Sequence, residues 1–278
     1  MTIAEAVSQI KNKLAGADID TPFLDAQLIV GKGTGMTRVQ ILTYPDKILS
    51  ETEICKINEM CAKRIKRMPM QYILGVCEFM GLEFKVNEHT LIPRGDTEIL
   101  AEEALRLIKD KGYKTVLDIG TGSGAIAVSI AKFTDTKVTA VDISQRALTI
   151  AKENAEKNGV NVKFIESDLF AEVTGRFDLI VSNPPYIEKD IIKTLDPGVK
   201  DYEPLSALDG GIDGLDFYRK ISGRCSEFLN KNGSLIFEIG YNQGRTVCGL
   251  LDGNMFERVS IKKDLAGLDR VVIGYKMC

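Results

Sequence analysis

The sequence predicts an α/β fold in which a doubly wound, mostly parallel sheet follows a small N-terminal helical domain and a linking β-hairpin. Strand and helix patterns alternate from Lys114 towards the C-terminus, which is typical of a doubly wound sheet. A glycine-rich turn from Gly120 to Gly124 joins the first of these strands to a helix. The N-terminal part instead carries repeated helix-start signals.

The chain has room for about two domains, since it contains 278 residues, of which 44% are hydrophobic. We divide it into a helical domain, residues 1–70, a hairpin linker, residues 71–93, and an α/β domain, residues 94–278. No apolar run approaches the ~18 residues of a membrane span. Charged residues interrupt the segment from Met1 to Leu14, where a signal peptide would be apolar. We therefore expect a cytoplasmic protein without membrane contact.

The composition disfavours two classes of site. A net charge of −3 argues against a protein that grips nucleic acid through many phosphates, so no stable nucleic-acid partner is expected. The six cysteines form no C-x-x-C pair, and the chain has one histidine. Neither a disulfide framework nor a metal site is therefore expected, and the cysteines are interpreted as buried or incidental thiols.

The first domain is predicted to consist of short helices. Thr2, Thr37 and Ser50 each begin a capping box, in which a Glu or Gln follows three residues later. Thr21 precedes a proline that suits the first helical position, and Pro69 is expected to stop the last helix.

Two segments of this region are interpreted from their glycines and their periodicity. Gly31, Gly33 and Gly35 lack the lysine of a phosphate-binding loop and are expected to form a loop between helices. Residues 71–93 change to an alternating pattern and predict a β-hairpin.

The α/β domain begins with a helix from Arg94 to about Lys111. Asp96 and Glu98 lie in its first turn, where they cap the helix and complement its positive end, and this role alone is enough to explain them. The last two strands are joined by too few residues for a crossover helix and should be antiparallel. Further helices are predicted at 125–132, 145–158, 214–230 and 242–251, and strands at 138–141, 162–165, 177–181, 234–239, 256–262 and 270–276.

Three aspartates follow successive strands of the predicted sheet. Asp118 precedes the glycine turn, where its carboxylate suits a cationic amino-acid group or bonds nearby loop amides. Asp142 is placed to accept hydrogen bonds from ribose hydroxyls, and Asp168 to accept one from an adenine amino group or to cap a turn. The glycines alone also satisfy the dinucleotide pattern, so a nicotinamide oxidoreductase remains open on that signal. Together the aspartates predict one adenosyl site.

An apolar strand from Phe177 ends at Asn183-Pro184-Pro185-Tyr186. Ligands of open α/β sheets bind beyond the carboxyl ends of the strands, so this stretch is the candidate active site. The two prolines have no N–H donor, which leaves carbonyl acceptors and the Asn183 side chain. Such a site suits a substrate that donates hydrogens from an NH2 group.

These motifs resemble those of class I S-adenosylmethionine-dependent methyltransferases, which have a Rossmann-like, mostly parallel sheet with an antiparallel last strand. Further stretches are similar to the HemK-type protein-(glutamine-N(5)) methyltransferases that act on peptide-chain release factors. They are Met68 to Gly75, Leu91 to Glu98, Glu203 to Gly214 and Lys263 to Arg270. The family has a proline where this chain has Gly95, which predicts a looser turn before Asp96.

The resemblance implies an enzyme that transfers a methyl group from S-adenosylmethionine to the glutamine of the Gly-Gly-Gln motif in release factors. It implies that Asn183, Pro184 and Tyr186 are catalytic, and that Pro185, Phe79 and Arg94 join them in binding the substrate. The core-packing interpretation of Phe79 stays open. The implied cofactor-binding residues are Asp118, Gly120, Thr121, Gly122, Gly124, Asp142, Ile143, Asp168, Leu169 and Asn183.

Residues 1–70 would recognise the release factor, and the loop from Glu188 to Gly211 would form a substrate-facing flap or a merely solvated loop. We expect a monomer. The main enzymatic alternative is a DNA or RNA amino-group methyltransferase, because adenine and cytosine also present an NH2 group. A non-catalytic scaffold that binds the cofactor is the remaining alternative.

Overall fold

The computed structural model describes residues 1–252 and 255–276. They form two compact units. The first contains Met1–Val76 together with Asp196–Tyr202, and the second contains Cys77–Leu195 and the described residues from Glu203 onward. The described cysteines are free thiols, and Cys278 lies outside the described residues. No helix within residues 1–252 and 255–276 is long and apolar enough to cross a membrane.

The helices and strands of the two units have the following bounds. The helices are α1 Ile3–Ala15, α2 Pro22–Thr34, α3 Arg38–Thr43, α4 Glu51–Ile65, α5 Met70–Leu74, α6 Gly95–Lys111, α7 Ala125–Phe133, α8 Gln145–Asn158, α9 Lys189–Ile192, α10 Pro197–Lys200, α11 Asp216–Phe228 and α12 Gly244–Leu251. The strands are β1 Val76–Phe79, β2 Leu82–Lys85, β3 Thr115–Ile119, β4 Lys137–Asp142, β5 Val162–Glu166, β6 Phe177–Ser182, β7 Leu229–Glu238, β8 Phe256–Lys263 and β9 Asp269–Lys276.

The three capping boxes predicted for the helical unit are present. The side chains of Thr2, Thr37 and Ser50 each accept a hydrogen bond from the backbone N–H three residues later, and the Glu or Gln there accepts one in return. Each box satisfies two N–H groups that a helix start leaves unpaired. Thr21 makes no such bond, and α2 begins instead with Pro22 at its first position.

The prediction of a glycine loop in this unit was wrong. Gly31 and Gly33 lie inside α2, and Gly35 ends that helix in a left-handed conformation, with φ 68°. A Cβ on Gly33 would lie 2.5 Å from Ile57 Cγ1 of α4, and one on Gly31 would lie 2.9 Å from the Met36 carbonyl. The glycines therefore serve close packing of the backbone of α2 against its neighbours, which the sequence alone did not indicate.

The predicted hairpin begins later than expected. Residues 71–74 belong to α5, which starts after Pro69 and ends at Gly75 in a left-handed conformation. The preceding helix ends at Ile65, before the proline. The hairpin consists of β1 and β2, and its turn places Met80 and Gly81 at positive φ. Pro69 thus marks the start of a short helix, a role that its fixed φ also suits.

The second unit contains a seven-stranded sheet of order β5-β4-β3-β6-β7-β9-β8. The strands from β5 to β7 are parallel, whereas β9 runs antiparallel to both β7 and β8. This confirms the predicted fold class. Successive residues point to opposite faces, so Val116 packs in one hydrophobic cluster and Leu117 in another. The parallel strands bring their carboxyl ends to one edge.

Some element bounds differ from the prediction. The segment 188–211 is not irregular throughout, because it contains α9, α10 and a 3-10 turn at Leu205–Ala207. The predicted start of α11 at Gly214 was wrong, since Gly214 is left-handed with φ 71° and the helix begins at Asp216. Strand β7 starts at Leu229 because the polar residues before Ser234 continue the strand beyond its apolar part.

The close packing of α2 against α4 predicts that Gly33→Ala destabilises the protein by roughly 1–3 kcal/mol, because the added methyl group must displace Ile57. Gly223→Ala is the matched control in the interior of α11, where an added Cβ meets no atom of residues 1–252 and 255–276 within 4 Å. It should stabilise by up to about 1 kcal/mol through helix propensity. Urea unfolding followed by circular dichroism measures both, and equal effects would contradict the packing role.

Candidate active site

The end of β6 presents hydrogen-bond acceptors. Asn183 Nδ2 lies 3.3 Å from Thr97 Oγ1 of α6, to which it donates a hydrogen bond. Within residues 1–252 and 255–276, no donor bonds to Asn183 Oδ1 or to the Pro184 carbonyl. Pro184 and Pro185 have no N–H of their own. This part of the site can therefore accept two hydrogen bonds.

The backbone that follows Asn183 is held by Gln243. Its Nε2 donates to the carbonyls of Tyr186, at 3.0 Å, and Gly214, at 3.3 Å. Its Oε1 accepts from the Gly240 N–H at 3.0 Å. Gly210 packs against the same segment, since a Cβ there would lie 2.8 Å from Tyr186 Cα. These contacts fix the conformation of the Asn-Pro-Pro-Tyr segment at its far end.

A buried carboxyl lies beside Tyr186. The Tyr186 hydroxyl is 3.5 Å from Glu238 Oε1, and Glu238 is 2% exposed. Glu238 Oε2 is buried without a hydrogen-bond partner among the described residues. Burial raises the pKa of the Glu238 carboxyl to about 7. Burial, and then the Glu238 charge, also raise the pKa of Tyr186, so the phenol is neutral at physiological pH.

Asp118 is fully buried at the end of β3. Its Oδ2 accepts from the Thr121 hydroxyl at 2.6 Å, whereas Oδ1 has no partner in the described part of the chain. Burial raises the pKa of the Asp118 carboxyl to about 7, and the nearby Asp142 carboxylate acts in the same direction. A bound cation would compensate both effects. The loop amides that sequence offered as alternative partners do not occupy Oδ1.

The turn after β3 leaves its backbone open to a ligand. Gly120, Gly122 and Gly124 have φ values of 74°, 55° and 81°, which favour glycine. A Cβ on Gly120 or Gly122 would meet no atom of the described residues within 4 Å, whereas one on Gly124 would lie 3.0 Å from Ala151 Cβ. The first two glycines thus border open space, and the third allows α7 and α8 to pack closely.

The ends of β4 and β5 contribute the remaining predicted residues. Asp142 Oδ2 accepts from the Gly122 N–H at 2.8 Å, and its Oδ1 accepts from the Ser144 N–H at 2.9 Å. The Ile143 side chain is 64% exposed next to it. Asp168 is also exposed, and Leu169 follows with φ 51°. This edge of the sheet therefore combines a carboxylate that is fixed by backbone N–H groups with an exposed apolar side chain, a combination that suits a nucleoside-like ligand.

Two predicted substrate-binding residues have structural partners. The Arg94 guanidinium donates to the carboxylate of Glu203, so it is held beside the loop that follows β6. Gly95 forms the first residue of α6, and the Asp96 carboxylate lies 3.0 Å from Arg270 Nη2. Phe79 is 1% exposed and packs edge to face on Phe84, which is the core-packing interpretation left open by the sequence.

Similarity to known proteins extends over both units. Residues 5–75 match the model of the PrmC N-terminal domain, and residues 96–195 match that of the methyltransferase small domain. A release factor glutamine methyltransferase from Geobacter sulfurreducens is 42% identical over 98% of this chain and 96% of its own length. One from Clostridium botulinum is 45% identical, with 93% and 94% covered. The chain belongs to the release factor glutamine methyltransferase family.

Solved structures agree with this family in fold. A methyltransferase from Pyrococcus furiosus superimposes with a TM-score of 0.52 at 21% identity, covering 72% of this chain and 91% of that one. The nucleic-acid methyltransferase and oxidoreductase alternatives are not favoured by the release factor glutamine methyltransferase relatives. No group of three or more His, Cys, Asp or Glu residues in the described ranges is placed to hold a metal ion.

Sequence reasoning did not assign a site role to Thr97, Glu238 or Gln243. Thr97 lies between Asp96 and Glu98, and only these two acids were interpreted, as charges that complement the start of a helix. Glu238 is a lone carboxylate that ends the apolar stretch of a central strand, and this pattern could have identified it, since buried carboxylates are rare without a partner. Gln243 carries no comparable signal, because the carbonyls to which its side chain donates, those of Tyr186 and Gly214, are distant in sequence.

The buried Asp118 carboxyl predicts a conflict between stability and cofactor binding. Its folded pKa of about 7 lies above the ordinary value near 3.9, so the folded state binds the proton more tightly. Wild-type stability should therefore fall as pH rises from about 4 to 7, by up to roughly 4 kcal/mol from this group. Asp118→Asn removes that loss while still accepting from Thr121.

We expect Asp118→Asn to be more stable than the wild type at pH 8 and to bind S-adenosylmethionine at least about 10-fold more weakly. Thermal unfolding across pH 5–8 and titration calorimetry measure the two effects. Unchanged cofactor affinity combined with lower stability at pH 8 would contradict the assigned electrostatics.

Proposed function

We propose that this protein transfers a methyl group from S-adenosylmethionine to the side-chain amide nitrogen of the glutamine in the Gly-Gly-Gln motif of peptide-chain release factors. The observation that carries the proposal is the pair of acceptors at Asn183 Oδ1 and the Pro184 carbonyl, to which no donor among the described residues bonds. A primary amide donates two hydrogens from one nitrogen, so two acceptors on one segment match it. Family membership supports glutamine as the source of that amide.

The acceptors would activate the substrate by orienting it. A glutamine amide nitrogen is a poor nucleophile because its lone pair is delocalised into the carbonyl. Hydrogen bonds from its two N–H groups to Asn183 and Pro184 would fix the nitrogen in the plane of these acceptors. Orientation of this kind can supply roughly 7–11 kcal/mol of rate enhancement in favourable cases. A strong base is not needed beforehand, because the nitrogen loses a proton readily once it is methylated and charged.

The edge of the sheet fits S-adenosylmethionine. Asp118 Oδ1 is a buried acceptor with no partner in the described part of the chain, which suits the cationic amino-acid end of the cofactor. Gly120 and Gly122 border open space, Asp142 and Asp168 would accept from the adenosine, and the exposed Ile143 would pack on the adenine. Thr121 and Leu169 would complete this set, with Gly124 at the start of α7. The cofactor would supply an electrophilic methyl group on a sulfonium.

Tyr186 would pack on the substrate amide and exclude water from it. Its phenol is neutral and largely buried, and the hydroxyl lies 3.5 Å from Glu238 Oε1. Excluding water strengthens the hydrogen bonds made by Asn183 and Pro184, because fewer competing partners reach them. Pro185 would contribute apolar surface to the same pocket, and the pair formed by Arg94 and Glu203 would border it.

The helical domain would recognise the release factor, and its surface suits a protein partner. Large apolar side chains are exposed on and after α3, namely Val39, Leu42, Tyr44 and Ile48. In the second unit, Ile212 is 90% exposed and Leu205 is exposed in the segment between β6 and α11. Clustered exposed apolar side chains often mark protein contacts. Leu205 lies within residues 188–211 and Ile212 directly after them, so their exposure favours a substrate-facing flap over a merely solvated loop.

The proposed enzyme acts as a cytoplasmic monomer and holds no nucleic acid stably. Its acidic balance and lack of a long basic segment support the absence of a stable nucleic-acid partner. The test is transfer of labelled methyl from S-adenosylmethionine to a purified, unmethylated release factor. A release factor whose Gly-Gly-Gln glutamine is replaced, and a duplex DNA, are the controls. Label on DNA, or on neither protein, would overturn the proposal.

Removing the Asn183 amide should abolish most of the transfer. We expect Asn183→Ala to lower kcat by about 100- to 1,000-fold, by analogy with the loss of one preorganised hydrogen-bonding group in an active site. Release factor binding, measured by calorimetry, should survive. Asn161→Ala, at an exposed asparagine before β5, is the control and should behave as the wild type. An active Asn183→Ala enzyme would contradict the assigned role.

Polar substitution of the α3 surface should weaken recognition of the protein substrate without changing the chemistry. We expect Leu42→Ser to raise KM for the release factor by about 10-fold, the value of one buried leucine, with kcat unchanged. Leu265→Ser, in the exposed turn between β8 and β9, is the matched control. If both substitutions left KM unchanged, α3 would not be part of the docking surface.

A further inference from the structure

Three side chains connect the acceptor site to a buried carboxyl. Asn183 Nδ2 lies 3.3 Å from Thr97 Oγ1. Helix α6, which carries Thr97, packs on β7, and the Thr97 hydroxyl stabilises the charged form of the Glu238 carboxyl and so lowers its pKa. Glu238 is 2% exposed and ends β7, the strand that pairs with β6. Thr97 is also buried, in the first turn of α6. Asn183, Thr97 and Glu238 thus form a chain that solvent does not reach at its inner end.

The direction of the hydrogen bonds in this chain decides what Asn183 offers the substrate. A hydroxyl has a single hydrogen to donate, and it can accept from other donors. If Thr97 donates to the Glu238 carboxylate, its oxygen must accept from Asn183 Nδ2. Asn183 Oδ1 then faces outward and is free to accept from a substrate NH2 group.

The opposite direction would disable the site. Without a carboxylate to accept its proton, the Thr97 hydroxyl can donate to Asn183 Oδ1 instead. The amide would then rotate by about 180°, and Nδ2 would face the substrate. Two NH2 groups would meet, and neither can accept a hydrogen bond from the other. An asparagine side chain carries no intrinsic preference between these orientations, so its partners must set it.

We propose that Glu238 and Thr97 are positioning residues that hold the Asn183 amide with its oxygen directed at the substrate. This inference rests on the proposed methyl transfer to an NH2 group. In this proposal Glu238 acts on Asn183 through Thr97. Glu238 Oε2 has no hydrogen-bond partner among the residues described, so few hydrogen bonds hold the carboxyl in place.

The groups around Glu238 allow this chain to respond to pH. Asp96 of α6 and the Tyr186 hydroxyl face the carboxyl, as does Arg270 of β9. The Tyr218 hydroxyl of α11 donates to the Glu238 backbone carbonyl at 2.9 Å. Burial outweighs the attraction of Arg270 and leaves the carboxyl with a pKa of about 7. The carboxylate that accepts from Thr97 therefore forms as pH rises through this value, and the neutral acid below it can donate to Thr97.

The experiment compares methyl transfer to the release factor by four variants with that of the wild type, each checked for folding by circular dichroism. Thr97→Val removes the hydroxyl at nearly constant shape, and Thr97→Ser restores it. Glu238→Gln removes the titrating carboxyl. Glu103→Gln is the control, a similarly buried carboxylate on α6 that pairs with Arg106 and Lys262.

Thr97→Val should lower kcat by about 10- to 100-fold, with KM and cofactor affinity close to those of the wild type. Thr97→Ser should recover kcat to within about 3-fold of the wild type, since the hydroxyl is restored. Wild-type and Glu103→Gln kcat should rise between pH 6 and 8 with a midpoint near 7, whereas Glu238→Gln should lose this rise.

Two results would overturn the inference while leaving the proposed function intact. One is equal kcat for Thr97→Val and Thr97→Ser, and the other is a Glu238→Gln profile with the wild-type midpoint. If the wild type itself transferred no methyl to the release factor, the proposed function would fail, and the inference would fail with it.

Discussion

The site depends on one constraint, the abrupt end of a buried parallel strand in two prolines. Because Pro184 and Pro185 cannot donate, the backbone after β6 offers acceptors to whatever binds there. Parallel neighbours then end at the same edge, so Asp118, Asp142 and Asn183 reach one region although they are distant in sequence. The sheet thus places the proposed cofactor site beside the acceptors that we propose bind a hydrogen-donating amide.

The price of this arrangement is the burial of carboxyl groups. Asp118 and Glu238 are both buried, and each has an oxygen without a partner among the residues described. In both, burial raises the pKa to about 7. Groups that are costly to bury often have a functional reason to be there. Asp118 would be compensated by the cofactor cation, whereas Glu238 would act on the orientation of Asn183 through Thr97.

Much of the α/β unit could be predicted from sequence, because its signals are local. Helix α8 begins and ends at the residues expected, and the antiparallel β8–β9 pair follows from a short connection. The errors arose where tertiary contacts decide. Gly33 lies inside α2 because Ile57 packs against it, a contact 24 positions away in the chain. The acceptor segment was visible in the sequence, but its supports Thr97, Glu238 and Gln243 depend on pairings between distant elements.

The most direct test of the central claim is a crystal structure of the protein with S-adenosylhomocysteine and a peptide that contains Gly-Gly-Gln. We expect the glutamine Nε2 to lie within hydrogen-bonding distance, about 3 Å, of both Asn183 Oδ1 and the Pro184 carbonyl. Asn183 Nδ2 should still face Thr97. A glutamine amide bound elsewhere, or one that meets Asn183 Nδ2, would contradict the proposed role of these acceptors.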